Sequence, residues 1–131
     1  YDLRPPALDQ LGLAAALAES AGQVDGVPVA VDLPPNLPPL PAAVEVAAYR
    51  IAQEALTNVA RHAQAQSCWL RLMLDGDWLI LEVRDDGRGL PVDVRNGVGL
   101  HAMQERAAEL GGVCTVESGP AGTMVLARLP L

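Results

Sequence analysis

The sequence predicts an α+β domain: a two-layer sandwich in which one mixed, mostly antiparallel sheet carries helices packed on a single face. Three observations predict it. Apolar residues recur with helical spacing in three separate stretches. Four alternating runs come as two pairs, each pair joined by a short glycine-containing turn, which makes two hairpins. The segments run helix, strand, helix, two strands, helix, two strands, so helices and hairpins share one core.

Each element has its own signal. Residues 1–7 are expected to be a tail from a preceding helical region, leaving residues 8–131 as the domain. Asp9 can cap a helix running to about residue 21, with Leu13 and Leu17 facing a neighbour and Gly22 ending it. Residues 27–33 make a short strand. The five prolines of residues 33–41 force an extended connector. Pro41 suits the first turn of a long helix reaching about residue 63. Strands over 67–74 and 78–85 flank the turn Asp75-Gly76-Asp77, and a loop rich in Gly, Asp and Pro covers 86–98. A helix over 99–110 is stopped by Gly111-Gly112. Strands over 113–118 and 123–129 close the chain around Gly119-Pro120-Ala121-Gly122.

The chain has 131 residues, 50% of them hydrophobic, 19% charged and only 3% aromatic, with no Phe. That is the size of one compact domain with a core of Leu, Val, Ile and Ala. A formal charge of −7 has the wrong sign for a phosphate backbone or an anionic membrane surface, so neither nucleic acid nor membrane is an expected partner. No apolar run is long enough to cross a bilayer, and no signal peptide is visible. The chain opens on Tyr1 and reads as an excerpt. Cys68 and Cys114 each sit in an apolar run and are expected to be buried thiols, not a disulfide or a metal site.

The long helix carries Glu54, Asn58, Arg61 and His62, whose spacing places them on one stripe beside the apolar stripe of Ala48, Ala52, Ala55, Val59 and Ala63. A polar row at the edge of a core stripe suits a pocket wall; a solvated face with a salt bridge from Glu54 to Arg61 or His62 is the alternative. Asp85-Asp86-Gly87-Arg88-Gly89 follows a strand directly. Alternation along Leu79, Leu81 and Val83 turns Asp85 inward, where a carboxylate needs partners or a ligand, and leaves Asp86 facing out. Gly97-Val98-Gly99-Leu100 opens the last helix with free N–H groups, a place for an anion such as phosphate. With Ala102 it also fits a loose dinucleotide fingerprint, but that motif must follow a strand directly, and here a charged, proline-containing loop precedes it. There is no P-loop.

Taken in order, these blocks resemble the Bergerat ATP-binding fold of the GHKL superfamily, and within it the catalytic domain of bacterial sensor histidine kinases that pair with LuxR/NarL-like response regulators. The resemblance rests on Leu3-Arg4-Pro5 with Leu11-Gly12-Leu13, Gln53 to Asn58 with Arg61-His62-Ala63, and Asp85-x-Gly87-x-Gly89. It continues through Gly97 to Leu100, Met103 with Glu105-Arg106, Gly122-Thr123 and Leu129-Pro130, and spans essentially the whole chain. It implies ATP and Mg²⁺ as ligands. By it, Asn58 would hold the metal that bridges the phosphates, with Glu54 beside it, and these two would be the catalytic residues. Arg61 and His62 would lie near the phosphates, Asp85 would accept from the adenine amino group, and Gly87 and Gly89 would let the base approach. Thr123 would support that site, Gly97, Val98, Gly99 and Leu100 would line the triphosphate, and residues 90–96 would form a short lid.

The resemblance to the sensor histidine kinases also implies a helical dimerisation and phosphoacceptor domain as partner. Neither His62 nor His101 stands in an acceptor context, so the fragment is expected not to phosphorylate itself. The resemblance further implies a downstream response regulator and a cytoplasmic location, with membrane attachment of the parent left open. A serine-directed anti-sigma kinase, a gyrase-like ATPase and a non-catalytic nucleotide-binding module are the alternatives.

Overall fold

The computed structural model describes residues 3–131. Helices α1 (Pro6–Leu11) and α2 (Leu13–Gly22) lead into strand β1 (Val29–Asp32) and, after the proline connector, helix α3 (Ala42–Asn58). A π-helical turn, Val59–Ala63, extends α3 before the hairpin of β2 (Cys68–Asp75) and β3 (Trp78–Asp85). Helices α4 (Val92–Arg95) and α5 (Val98–Glu109) precede the hairpin of β4 (Val113–Gly119) and β5 (Gly122–Pro130). The five strands lie in the order β1-β2-β3-β5-β4. Only β1 and β2 run parallel; every other neighbouring pair is antiparallel. This is the mixed α+β sandwich that the hairpins and helix periods predict.

Period-two alternation sorts the sheet into two faces. Leu70, Leu72, Leu79, Leu81, Val83, Val125, Ala127 and Leu129 point to the helices and are at most 4% exposed. The other face carries Arg84 over the Trp69 ring at 4.8 Å and Arg128 over the Trp78 ring at 5.0 Å. On the covered face, α3 contributes Val44, Ala48, Ile51, Ala52, Ala55 and Leu56, while α5 contributes Leu100, Met103 and Ala107. Leu8, Leu13, Ala16 and Leu17 close the core from α1 and α2. Cys68 and Cys114 are buried free thiols. Among the described residues no helix is long and apolar enough to cross a membrane.

Several predicted boundaries move, each for a physical reason. The single helix predicted from Asp9 is two helices, broken at Gly12 with φ 79° and ψ 167°. Asp9 caps nothing: Pro5 is the N-cap, and the Asp9 carboxylate instead accepts from Arg4 Nε at 2.5 Å. Arg4 also reaches Glu45 at 3.0 Å, tying the entering chain to α3. Residues 1 and 2 of the expected tail lie outside the described residues, and Pro6 and Ala7 already belong to α1. Regular α-helix in α3 stops at Asn58 rather than near residue 63, and the π turn ends at Gln64 in the left-handed region, φ 49°. The tight turn between β2 and β3 is Gly76-Asp77, because Asp75 already pairs with Trp78. The loop after β3 holds the short α4, and α5 starts one residue early, at Val98.

The break at Gly12 gives a test with a definite sign. In a continuous helix, Gly12→Ala would stabilise by about 1 kcal/mol. In the observed backbone conformation, which is essentially glycine-only, it should destabilise by about 1–3 kcal/mol. Urea unfolding of the two proteins distinguishes these outcomes, and a stabilised variant would refute the two-helix assignment.

Candidate functional site

Among the described residues, three polar ones are buried: Asn58, Asp85 and Thr123, at 8%, 5% and 6% exposure. All three line one crevice together with Ala55, Val59, Val83, Leu90 and Val125. Helix α3 delivers Asn58, the last inward position of β3 delivers Asp85, and the start of β5 delivers Thr123. The crevice measures about 10 Å³, room for roughly one water molecule. Leu90, 6% exposed, closes one side of it.

Strand alternation turns Asp85 inward as predicted. Its Oδ1 accepts from the Gly87 N–H at 2.8 Å, and the Thr123 backbone N–H also bonds the carboxylate. Burial pushes the carboxyl above its ordinary pKa; the two N–H groups offset part of that, and the nearby Asp86 charge adds to the rise. Cys68, directly opposite Asp85 across the strand pair, is pushed up to about 12 by burial and by that same carboxylate. Thr123 Oγ1 shares a hydrogen bond of 2.8 Å with Ser118 Oγ, which accepts from the Leu90 N–H at 2.7 Å. The base of the loop is therefore tied to the end of the sheet.

A second hollow, a groove of about 520 Å³, runs between α3 and α5 and is lined by Arg50, Gln53, Glu54, Val98, Gly99 and Arg106 among others. Glu54 lies so close to the start of α5 that a Cβ on Gly99 would stand 2.0 Å from its Oε1. Gly97 is the N-cap of α5, and no side chain caps it. The start of this 12-residue helix thus borders the groove, with Val98 86% exposed and Leu100 buried. Such a terminus favours an anion.

The predicted site residues do not all meet. Glu54 and Asn58 lie one turn apart on α3 but face different hollows, the groove and the crevice. Arg61 and His62 line neither one. The π turn closes i→i+5 rings, so residues beyond Asn58 leave the stripe that α-helical spacing predicts. Arg61 is exposed and His62 half-buried, and among the described residues no ion pair joins either to Glu54. Gly87 and Gly89 have a packing reason of their own. A Cβ on Gly87 would stand 2.1 Å from the Ala63 carbonyl oxygen, and one on Gly89 2.4 Å from that of Gly119. Leu90, expected in the lid, is an anchor in the core. Sequence reasoning missed Ser118, although its position opposite Thr123 in the last hairpin was the available signal.

Residues 43–131 match the family described as histidine kinase-, DNA gyrase B-, and HSP90-like ATPase. The chain belongs to this family. Its relatives include the sensor histidine kinase MctS of Rhizobium johnstonii, 37% identical over 99% of this chain and 30% of that protein. The signal transduction histidine-protein kinase/phosphatase UhpB of Salmonella typhimurium is 35% identical over 98% of this chain and 26% of its own length. LiaS of Bacillus subtilis, another sensor histidine kinase, is 34% identical over 98% and 37%. The chain thus spans roughly a third of the length of these relatives. Among solved structures, the histidine kinase domain of the Erythrobacter litoralis EL346 blue-light activated histidine kinase is similar with a TM-score of 0.71 and 27% identity, over 90% of this chain and 57% of that one. The Acinetobacter baumannii histidine kinase AdeS, at 15% identity and a TM-score of 0.65 over 90% and 60%, shares the fold. Membership in an ATPase family implies ATP as the ligand.

The raised Asp85 pKa has a consequence for stability. The folded state holds this proton more tightly than the unfolded chain, so the group's contribution is complete below the ordinary carboxylate pKa and is lost as pH rises through the folded value. In nucleotide-free protein, Asp85→Asn should therefore gain stability relative to wild type as pH rises from acid to neutral. Thermal melts across that range test it; a difference independent of pH would show that Asp85 is not strained by burial.

Proposed function

We propose that this domain binds Mg·ATP and presents the γ-phosphate to a histidine on a helical dimerisation and phosphoacceptor domain, as the catalytic part of a two-component sensor kinase working with a LuxR/NarL-like response regulator. The observation that carries the reading is the buried trio in one crevice: Asp85 and Thr123 from the sheet, and Asn58 on the helix that also walls the groove at the uncapped start of α5. Asp85 would accept from the adenine amino group, with the Thr123 N–H holding its carboxylate in place. The triphosphate would lie toward Gly97, Val98, Gly99 and Leu100, where free backbone N–H groups meet its charge.

The Asn58 amide fits a metal role. Its Nδ2 is buried without a hydrogen-bond partner. The atom a metal would take is the other end of the amide, Oδ1, because the NH₂ group donates and has no lone pair to give. The Asn58 oxygen would suit Mg²⁺, which takes few protein ligands and completes its shell with water and phosphate oxygens. Glu54, one turn away, faces the groove and would act from that side. Bound there, Mg²⁺ would neutralise charge on the β- and γ-phosphates. Glu54 and Asn58 are in this reading the catalytic pair, and Arg61 and His62 flank the phosphate end from the π turn. The relatives' names, sensor histidine kinases, favour histidine over serine as acceptor. Within this chain His101 is paired with Glu105 at 3.0 Å and His62 sits on the π turn, so the acceptor belongs to the partner domain.

Calorimetry with ATP and GTP, with and without Mg²⁺, tests the site. Losing a charged acceptor should cost about 1.5–3 kcal/mol, so Asp85→Asn should weaken ATP binding by roughly ten- to a hundredfold and blur selection over GTP. Asn58→Ala should lose most of the Mg²⁺-dependent gain. Should Asn58→Ala bind Mg·ATP like wild type, the metal role is wrong.

A crevice of about 10 Å³ is too small for a purine, so the Leu90 side chain that closes it would have to swing aside for the base to enter, and the loop that follows would move with it. Hydrogen exchange should show residues 91–96 gaining protection when ATP is added, with the Leu90 amide, bonded to Ser118, protected in both states. Equal protection of residues 91–96 with and without nucleotide would rule out a lid.

A further inference from the structure

Beyond the crevice and the groove, the densest set of polar contacts joins the loop after β3 to the turn after the π helix. One oxygen of Asp86, Oδ1, accepts the N–H groups of both Gln66 and Ser67, each at 2.9 Å. The Asp86 N–H returns a bond to the Ser67 carbonyl at 3.3 Å, and the Arg88 N–H donates to the Ala63 carbonyl at 2.8 Å. The Arg88 side chain adds a bond to the His62 carbonyl at 3.1 Å. Gln64 is the one non-glycine residue of positive φ among those described. That left-handed residue ends the π turn, and just beyond it the successive N–H groups of Gln66 and Ser67 converge on one carboxylate oxygen.

This staple begins one residue past Asp85 and a single π turn past Asn58. Asp85 is held in place by two backbone N–H groups, one of them from Gly87 inside the staple. Asn58 has no such support at its amide nitrogen, so its position depends on the backbone beneath it. That backbone is fixed at its far end by the contacts Asp86 and Arg88 make.

We propose that Asp86 is a positioning residue for the nucleotide site: its carboxylate fastens the turn after α3 to the loop after β3 and so sets Asn58 opposite Asp85. The proposal rests on the reading of this crevice as part of the ATP site. Asp86 is exposed, as strand alternation predicts; the proposed role comes from the contacts its carboxylate makes at the surface.

The test compares wild type, Asp86→Ala and Asp86→Asn by calorimetry with ATP, once with Mg²⁺ and once in chelator, at a temperature where circular dichroism finds each protein folded. Asn keeps an acceptor oxygen in the same place; Ala does not. Asp86→Ala should weaken Mg·ATP binding by about tenfold or more while metal-free ATP binding falls by less than about threefold, and Asp86→Asn should restore Mg·ATP binding to within about threefold of wild type. If Asp86→Ala does not fold, Asp86→Ser, a shorter and weaker acceptor, replaces it with the same expectation. An equal loss with and without metal would mark Asp86 as merely structural and overturn the proposal. So would unchanged binding, or an Asp86→Asn defect as large as that of the truncated variant. Wild type that fails to bind Mg·ATP would sink the nucleotide reading itself, whereas wild-type binding with an indifferent Asp86 sinks this proposal alone.

Discussion

The alanines of α3 determine how closely that helix can lie on the sheet. Ala48, Ala52 and Ala55 are at most 2% exposed and meet the leucines and valines of β2, β3 and β5. Small side chains let a helix backbone approach a sheet without opening voids, and interiors packed at crystal-like density do not tolerate a looser fit. The approach has a chemical result. It carries Asn58, one turn after Ala55, down to the level of Asp85 and Thr123, so polar residues from a helix and two strands line one crevice at the end of an otherwise apolar core. A larger side chain at these positions would push α3 outward and open the crevice before it touched any polar group.

Placing a carboxylate at that depth is costly for the empty protein. Asp85 is 5% exposed, and the two backbone N–H groups that bond it only partly offset the loss of hydration. The Asn58 Nδ2 is likewise left without a partner. Sites that carry unfulfilled hydrogen-bonding capacity in the resting state are where binding a ligand recovers the most, and they are the usual exception to the rule that each local choice serves stability. The leucine-rich sheet around them supplies the apolar burial that tolerates it.

Rigidity near the crevice is uneven. Gly87, pressed against the Ala63 carbonyl, and the Asp86 and Arg88 contacts bind the β3 end to the helix end, while Leu90 is pinned through Ser118. Between Leu90 and Gly97 the chain carries exposed Val92, Asp93, Arg95 and Asn96 around a single turn of α4. Firm attachments at both ends leave this exposed stretch, held to the core through Val94, as the part of the loop best able to rearrange without disturbing the core.

Much of this was legible in the chain alone, because it depends on local rules. Period-two alternation put Leu79, Leu81, Val83 and Asp85 on one face, helix spacing aligned Glu54 with Asn58, and glycines marked the start of α5 and both hairpin turns. These follow from backbone geometry that every strand and helix shares. What local rules could not decide was where partners from distant segments would meet. Helical spacing carried Arg61 and His62 onto the Asn58 stripe, yet the carbonyls of His62 and Ala63 bond Arg88, 26 residues from His62, beside a π turn that ends the stripe. Parity placed Asp86 outside, and it is outside, but only the fold brings the Gln66 and Ser67 N–H groups to its oxygen. Gly12 read as one more residue in a helix, yet its backbone stands at φ 79° and ψ 167° and breaks the helix between Leu8 and Leu13, which are both buried in the same core. Sequence determines the face a side chain takes on its own element; the contacts that give a residue such as Asp86 its role form only when tertiary packing brings the elements together.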